Sequence, residues 1–430
     1  MATETTKTDV AIVGAGTAGA ATALQCARRG LRVVCLDRRP AGQTGARWVN
    51  GVPAWVYDET GVPTSEPPEL RGHAGALHLL AGWGPARVIV EGHDVLEVDM
   101  RALVDRLTAL AREAGAEVRY EARALGLDGD VLRTTTGDIR ADVIVDASGL
   151  GGAGLAPVPP VAPEDICAAA QGVFRVADRA AAQAWFRDHG ARPGDAICFS
   201  GVAGGYSIVN LRLHGDEVSV LTGSLPALGY PSGAKLLADA LARHRWIGPK
   251  LFGGASPIPL RRPCAHLVHG RVALVGDAAG QVFATHGSGV AAQLVAAATL
   301  AEVLAEGAGL QAYQHRWQRR WGGLFAASDL FRRFTTTLRP DEVARLFTSG
   351  VMSPEVARDG LSQRWPRPDA GKLRGVLRAL ARDPWTVAKM APLIGRIAFA
   401  TGAWRSFPAA PERVDAWERR MNRVLGVLAV

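Results

Sequence analysis

The sequence predicts an α/β chain, α+β overall, in which a Rossmann-like domain is interrupted by a mixed or antiparallel sheet and followed by a helical C-terminal region. Three observations predict it. The apolar run Asp9 to Val13 enters the glycine turn Gly14-Ala15-Gly16-Thr17-Ala18-Gly19 and an alanine-rich helix. A second apolar run, Val272 to Val275, enters Gly276-Asp277-Ala278-Ala279-Gly280. Between the two turns lie short strand-like segments, and beyond Leu310 helical stretches are punctuated by prolines.

The first turn carries its full context. The helix from Thr17 to Arg29 is closed by Gly30. Gly14 permits the tight turn, Gly16 lets a pyrophosphate approach the backbone, and Gly19 lets helix and strand pack closely. The free amides of Thr17, Ala18 and Gly19 and the positive dipole end then face the phosphates. The next strand, Leu31 to Leu36, ends at Asp37, eighteen residues after Gly19, where an acid accepts hydrogen bonds from ribose hydroxyls. Arg38 and Arg39 follow directly, which leaves a 2′-phosphate open at this stage.

The remaining elements follow in order. Arg47 to Pro53 is irregular, and Ala54 to Thr60 is a short helix. Ala76 to Leu80 and Arg87 to Glu91 form a hairpin around Gly82-Trp83-Gly84-Pro85. Asp99 to Ala114 is an amphipathic helix ended by Gly115, with strands at Glu117 to Glu121, Ala124 to Leu127 and Val131 to Thr135. The proline-rich stretch Gly151 to Pro163 is a linker. In residues 164–265 strands are expected at Gln171 to Val176, Ala196 to Ser200, Gly205 to Leu211 and Glu217 to Thr222. Helices are expected there at Arg179 to Asp188 and Ser232 to Arg245. The C-terminal helices include Leu310 to Phe334, Lys372 to Ala381 and Pro411 to Leu428. The expected division is 1–163 and 266–309 for a discontinuous nucleotide domain, 164–265 for a substrate domain and 310–430 for the helical region.

The second turn selects the nucleotide. A dinucleotide domain of ordinary size has no use for an acidic glycine turn after residue 270, whereas the longer FAD has. Asp277 can bind a ribityl hydroxyl. A long helix starting near Ser288 or Gly289 and running to Leu304 turns the amides of Gly289 and Val290 toward the flavin pyrimidine ring. Gly276, Asp277, Gly287, Ser288, Gly289 and Val290 therefore complete a Rossmann-like FAD-binding domain.

These two turns, with the strand and turn Ala141-Asp142-Val143-Ile144-Val145-Asp146-Ala147-Ser148-Gly149, resemble the flavoprotein group of aromatic hydroxylases, geranylgeranyl reductases and flavin-dependent halogenases, which share the glutathione-reductase-like FAD fold. The resemblance covers residues 8 to 325. At the second turn the reductases have an Asn-Pro pair and a Thr-Gly-Glu-Gly run; this chain has Phe283-Ala284 and His286-Gly287-Ser288-Gly289. It has Ser148-Gly149 where NADPH-using hydroxylases have Asp-Gly. The resemblance thus implies FAD with NAD(P)H as an indirect reductant at most, through a separate flavin reductase. The halogenase tryptophan motif is absent, and Lys7 is the only lysine before residue 200, so halogenation is not expected. Of the reductase Tyr-x-Trp-x-Phe-Pro element only Tyr206 survives, in Tyr206-Ser207-Ile208-Val209-Asn210-Leu211.

Composition narrows the classes. With 48% hydrophobic and 21% charged residues, the chain is expected to be globular and large enough for more than one domain. The polar first ten residues leave no room for a signal peptide, and no apolar run reaches 18 residues, so a cytoplasmic protein is expected. Cys26, Cys35, Cys167, Cys198 and Cys264 are widely spaced and read as buried thiols. Residues 331–430 hold 18 Lys and Arg against 9 Asp and Glu. That surplus suits an anionic membrane surface, an acidic carrier protein or a phosphorylated substrate, or is a solvated helical face. No nucleic-acid module is present, and oligomeric state is not encoded legibly.

Flavin brings the redox chemistry, and the protein must position substrate and steer protons. His286 is the acid–base candidate because imidazole exchanges a proton near neutral pH. Asn50 can orient a carbonyl, and Trp48 can form an apolar wall. Tyr206 and Asn210, four apart on an expected strand, face one side and are candidates for substrate contact. His73, His78 and His93 lie on separate elements, so no metal site is expected. The reading is an FAD-dependent oxidoreductase, of monooxygenase type, for a small apolar biosynthetic intermediate. Alternatives are geranylgeranyl-reductase-like hydrogenation or dehydrogenation of a C=C or C–N bond, and a non-redox FAD-dependent cyclase or isomerase.

Overall fold

Val10 to Val13 are buried on both faces, as a central parallel strand requires. In the computed structural model, which describes residues 5–73, 75–365 and 370–426, this strand spans Thr6–Val13 and lies inside an eight-stranded sheet. Its parallel neighbours are Val33–Leu36 and Ile139–Asp146. Beyond them lie Glu117–Arg119 on one side and Val272–Leu274, then Val268–His269, on the other. The hairpin Ala124–Asp128 and Val131–Thr134 branches from Ile139–Asp146. The helix Thr17–Ala27 is buried along its whole length and packs against both Met100–Glu113 and Val290–Ala305. Asp99 caps the Met100–Glu113 helix by accepting from the Arg101 amide at 3.0 Å.

The second sheet has the order Ile247–Pro259, Ile166–Val176, Glu217–Ser224, Ser207–His214, Ala196–Ser200, Leu77–Ala81, Arg87–Val90. All neighbours are antiparallel except Ala196–Ser200 with Leu77–Ala81. The sheet therefore draws the expected hairpin near residue 80 out of the first segment, and is not confined to 164–265. Its longest strand, Ile247–Pro259, was not among the expected strands, and holds three glycines and three prolines. As an edge strand it tolerates proline. At Gly253 the backbone runs so close to its neighbour that a Cβ would stand 2.2 Å from the Gln171 carbonyl oxygen.

A small third sheet, Val49–Pro53, Val95–Asp99 and Leu70–His73, joins the two larger ones. The Gln171 side chain clamps Val49 from the second sheet, accepting from its amide at 2.7 Å and donating to its carbonyl at 2.9 Å.

The C-terminal region is helical, as expected. Gln311–Trp317, one π-turn at Gln318–Gly322 and Gly323–Thr336 form one continuous rod. Pro340–Thr348, Pro354–Ser362, Ala370–Arg382, Pro384–Arg405 and Val414–Leu425 follow. The expected end of the last helix, Leu428, lies outside the described residues. Among the described residues no helix is long and apolar enough to cross a membrane.

Candidate active site

The two glycine turns touch. Gly14 has φ +101°, and a Cβ there would lie 2.4 Å from the Ala147 carbonyl oxygen, on the third motif. At Gly19 a Cβ would come within 1.7 Å of the Gly14 carbonyl oxygen, so the turn and helix meet at glycine distance. Gly276, φ +78°, sits with the first turn of that same helix, where a Cβ would be 2.8 Å from Ala18 Cβ. Above Gly16 passes the loop of Gly45, whose Cα lies 3.3 Å from where a Gly16 side chain would begin.

Two carboxylates flank this junction. Asp37, half-buried at the end of its strand, accepts from the amides of Ala15 and Arg39, both at 2.8 Å. Arg38 beside it is exposed. Asp277 accepts from Gln293 Nε2 at 3.0 Å, and burial pushes its carboxyl up to about 6. Gln293 was not anticipated, although it is the one polar side chain in the first two turns of an otherwise apolar helix. That helix begins at Val290 with Gly289 as its cap and no side chain closing it, which leaves its first amides available. The Ser288 hydroxyl and the Trp48 indole N–H are both buried with no hydrogen-bond partner among the described residues. A dinucleotide carrying a flavin fits this set. It brings phosphates for two helix N-termini, hydroxyls for Asp37 and Asp277, and polar ring atoms for the orphaned donors.

The second sheet turns unlike faces to its surroundings. On one, Phe174, Ile197, Phe199, Val209, Leu211, Val218 and Val220 are buried with residues of the helices Arg179–Asp188 and Gly233–Arg243. On the other, Ile208, Asn210, Leu221 and Ile258 are only half-buried. This half-open apolar face reaches the second turn: a Cβ at Gly287 would meet Ile258 at 3.6 Å, Leu260 at 3.5 Å and the Tyr206 hydroxyl at 3.6 Å. Tyr206 is not on the expected strand but in the bend before Ser207–His214, because Gly204 and Gly205 both take left-handed φ there. Its side chain packs with Cys167, Leu260 and Ala284, and burial drives its phenol well above the usual range. Asn210 lies farther along the same face, opposite Cys198.

His286 differs from its expected role. Burial lowers its imidazole from 6.5 to about 4, so it is neutral at pH 7 and no ready acid. Its ring lies 4.9 Å from that of Phe283, and Gly360 of the helix Pro354–Ser362 covers its Nε2. Asn50 comes near on its strand, Val49–Pro53, which packs against Val290–Ala305, and Trp48 directly precedes that strand. Gln171, the clamp on Val49, was also missed, though it is a lone uncharged polar side chain in the run Ile166–Val173. His78, set aside as a metal ligand, pairs with Asp195 at 3.1 Å.

Comparison with known proteins agrees with this geometry. Residues 9–66 match the family model of FAD-dependent oxidoreductases, DAO. The digeranylgeranylglycerophospholipid reductase of Sulfolobus acidocaldarius is 22% identical over 97% of this chain and 97% of its own. A geranylgeranyl bacteriochlorophyll reductase-like protein from Thermoplasma acidophilum superposes with a TM-score of 0.71 at 18% identity, covering 91% of this chain and all of its own. The p-nitrophenol 4-monooxygenase of Pseudomonas putida shares the fold with a TM-score of 0.60 at 18% identity, over 85% of this chain and all of its own.

Proposed function

We propose that this chain, an FAD-dependent oxidoreductase of the superfamily that holds geranylgeranyl reductases, aromatic hydroxylases and flavin-dependent halogenases, saturates carbon–carbon double bonds in a long, branched apolar substrate of geranylgeranyl type. One observation carries this reading: the half-open apolar face formed by Ile208, Leu221 and Ile258, which ends against Gly287 of the flavin turn. Beside Gly287 the face is apolar, with Ile258, Leu260 and Cys167, and its polar side chains Asn210 and Gln171 lie farther along, on either side of Leu221; such an end suits a hydrocarbon chain better than a hydroxylated ring. The reductase relative, similar along nearly its whole length, points the same way.

Bound FAD supplies the two-electron chemistry. The chain's own residues place the substrate and hold a proton. Tyr206 is the proton-holding group of this reading, because its hydroxyl stands beside Gly287 and stays protonated at neutral pH. His286, neutral and packed on Phe283, closes one wall. Asn210 and Cys198 sit farther along the face, where they contact the more distant part of the substrate. Reducing equivalents come from a separate reductase, with NAD(P)H as the indirect source, in keeping with Ser148 where direct users carry aspartate.

The test is anaerobic. Holoenzyme reduced with dithionite and mixed with a geranylgeranyl phospholipid should reoxidise its flavin without oxygen, and the product should gain two hydrogens per bond. Tyr206→Phe should slow that reoxidation by about 10²-fold or more while retaining FAD. Reoxidation only on admitting oxygen, with oxygen in the product, would assign the monooxygenase reading instead. Turnover with no net electron input would assign a cyclase or isomerase.

A further inference from the structure

The helix Ala370–Arg382 reverses the usual relation between side-chain size and burial. It turns Gly375 and Ala379 inward and leaves Leu373, Val376, Leu377 and Leu380 at 48–62% exposure. Gly375 is held tightly, since a Cβ there would stand 2.9 Å from the Gly350 carbonyl oxygen. The four apolar residues fall at helical spacing on one outer face. Arg374, Arg378 and Arg382 recur every four residues and form a second stripe beside it, all exposed. The next helix, Pro384–Arg405, adds exposed Trp385 and Ile394. Residues 370–405 hold seven Lys and Arg against one acid, Asp383, which caps its own helix and pairs with Arg345 at 3.2 Å.

We propose that this face docks the protein, in the plane of the interface, on a membrane surface rich in anionic lipids. Exposed leucines beside a stripe of arginines are what a bilayer boundary accepts: the aliphatic groups enter the acyl margin and the guanidinium groups reach lipid phosphates. Lipid fits better than a second copy of the chain, because a two-fold contact through this face would set the exposed arginine stripes together, while the neighbouring Asp359 and Asp383 already pair with Lys372 and Arg345. The neighbouring helix Pro354–Ser362, which packs against this one, also covers His286. The docking face is therefore the outer side of the helical layer whose inner side borders the active site. The inference stands on the surface alone and does not depend on which reaction the flavin performs.

Sedimentation of the holoenzyme with phosphatidylcholine vesicles, with and without one-third phosphatidylglycerol, tests it. Binding should be at least about tenfold stronger to the anionic vesicles at low salt and should fall at high salt. Leu377→Asp with Leu380→Asp should lose about tenfold or more, and Arg374→Gln with Arg378→Gln should reduce anionic binding to the neutral level. Unchanged flavin content would show that both variants remain folded. No binding by the wild-type protein at low salt would overturn the proposal, as would equal binding by wild type and both variants. A wild-type dimer converted to monomer by the leucine substitutions would overturn it too, by assigning the face to a second copy.

Discussion

Asp277 and His286 stand nine positions apart in one loop, and burial moves their titrations in opposite directions. The Asp277 carboxyl rises from 3.8 to about 6, so between those values the folded, ligand-free chain binds a proton that the unfolded chain releases. Its contribution to stability is greatest below pH 4 and falls as pH rises toward about 6. His286 falls from 6.5 to about 4, so in that window it is the unfolded chain that binds the extra proton, and stability rises with pH. The two slopes oppose each other over nearly the same range, and wild-type protein should show a shallow pH dependence from these groups. Asp277→Asn should unmask them: without FAD it should unfold at higher temperature than wild type at pH 7, with the gain lost by pH 4. The same variant should bind FAD about tenfold or more weakly, because a neutral amide accepts ribityl hydroxyls less well than a carboxylate. His286→Gln should flatten the remaining acid-side loss. Thermal unfolding of apo protein at several pH values and a flavin fluorescence titration read both effects. A less stable Asp277→Asn apo protein at pH 7 would show that the carboxylate is structurally required rather than poised for ligand.

At the level of elements, the segments are tied by a buried ionic knot. Arg332 of Gly323–Thr336 donates to Asp165 Oδ1 at 2.5 Å, to the Leu260 carbonyl and to Asp329 Oδ1 at 3.1 Å. Arg333 reaches Asp165 at 2.8 Å and Asp329 at 2.9 Å. Arg262 lies 3.6 Å from Asp329 and donates to Asn422 and to the Gly426 carbonyl. Arg332→Met would leave two buried carboxylates short of a partner and should cost about 3–5 kcal/mol, read in urea unfolding of the holoenzyme. A loss below about 1 kcal/mol would mean that water replaces the guanidinium at no great cost. None of this knot was legible in the sequence, since Asp165 and Arg332 are 167 positions apart and ordinary in local context. What was legible rests on local chemistry: Gly14 and Gly19 because a side chain cannot fit, and Gly276 because strand and helix meet there. Tyr206 was expected on a strand from Gly205 to Leu211, whereas Gly204 and Gly205 take left-handed φ and bend the chain just before it. The role of His286 failed for a related reason. Burial lowers its titration, against a smaller opposing effect of the Gly360 backbone, and the segments that bury it, including a helix about seventy residues onward, leave no mark at position 286.

For the molecule as a whole, the question is whether residues beyond 338 form an appendage or part of the folding unit. Trp404 is buried against Gly322, where a Cβ would stand 2.2 Å from its ring, and its indole donates to Gln318 Oε1 at 2.9 Å. Gln318 in turn donates to the Cys264 carbonyl at 2.7 Å, on the approach to the second turn. Ala326, Leu330 and Leu338 share one core with Leu346, Met390, Leu393, Met421 and Leu425. Burying each large side chain contributes roughly 1.5–3 kcal/mol, so losing several of these contacts exceeds the roughly 5–15 kcal/mol by which a domain is stable. A chain ending at Leu338 should therefore be insoluble or retain little FAD, even though both glycine turns, Asp37 and Asp277 remain. Soluble yield and the ratio of flavin to protein absorbance measure this directly. A truncated chain that is soluble, holds one FAD and unfolds at the full-length temperature would show that the nucleotide and substrate sheets are self-sufficient. The expected outcome is the reverse, because the helix rod of residues 311–336 packs extensively against the later helix Pro384–Arg405.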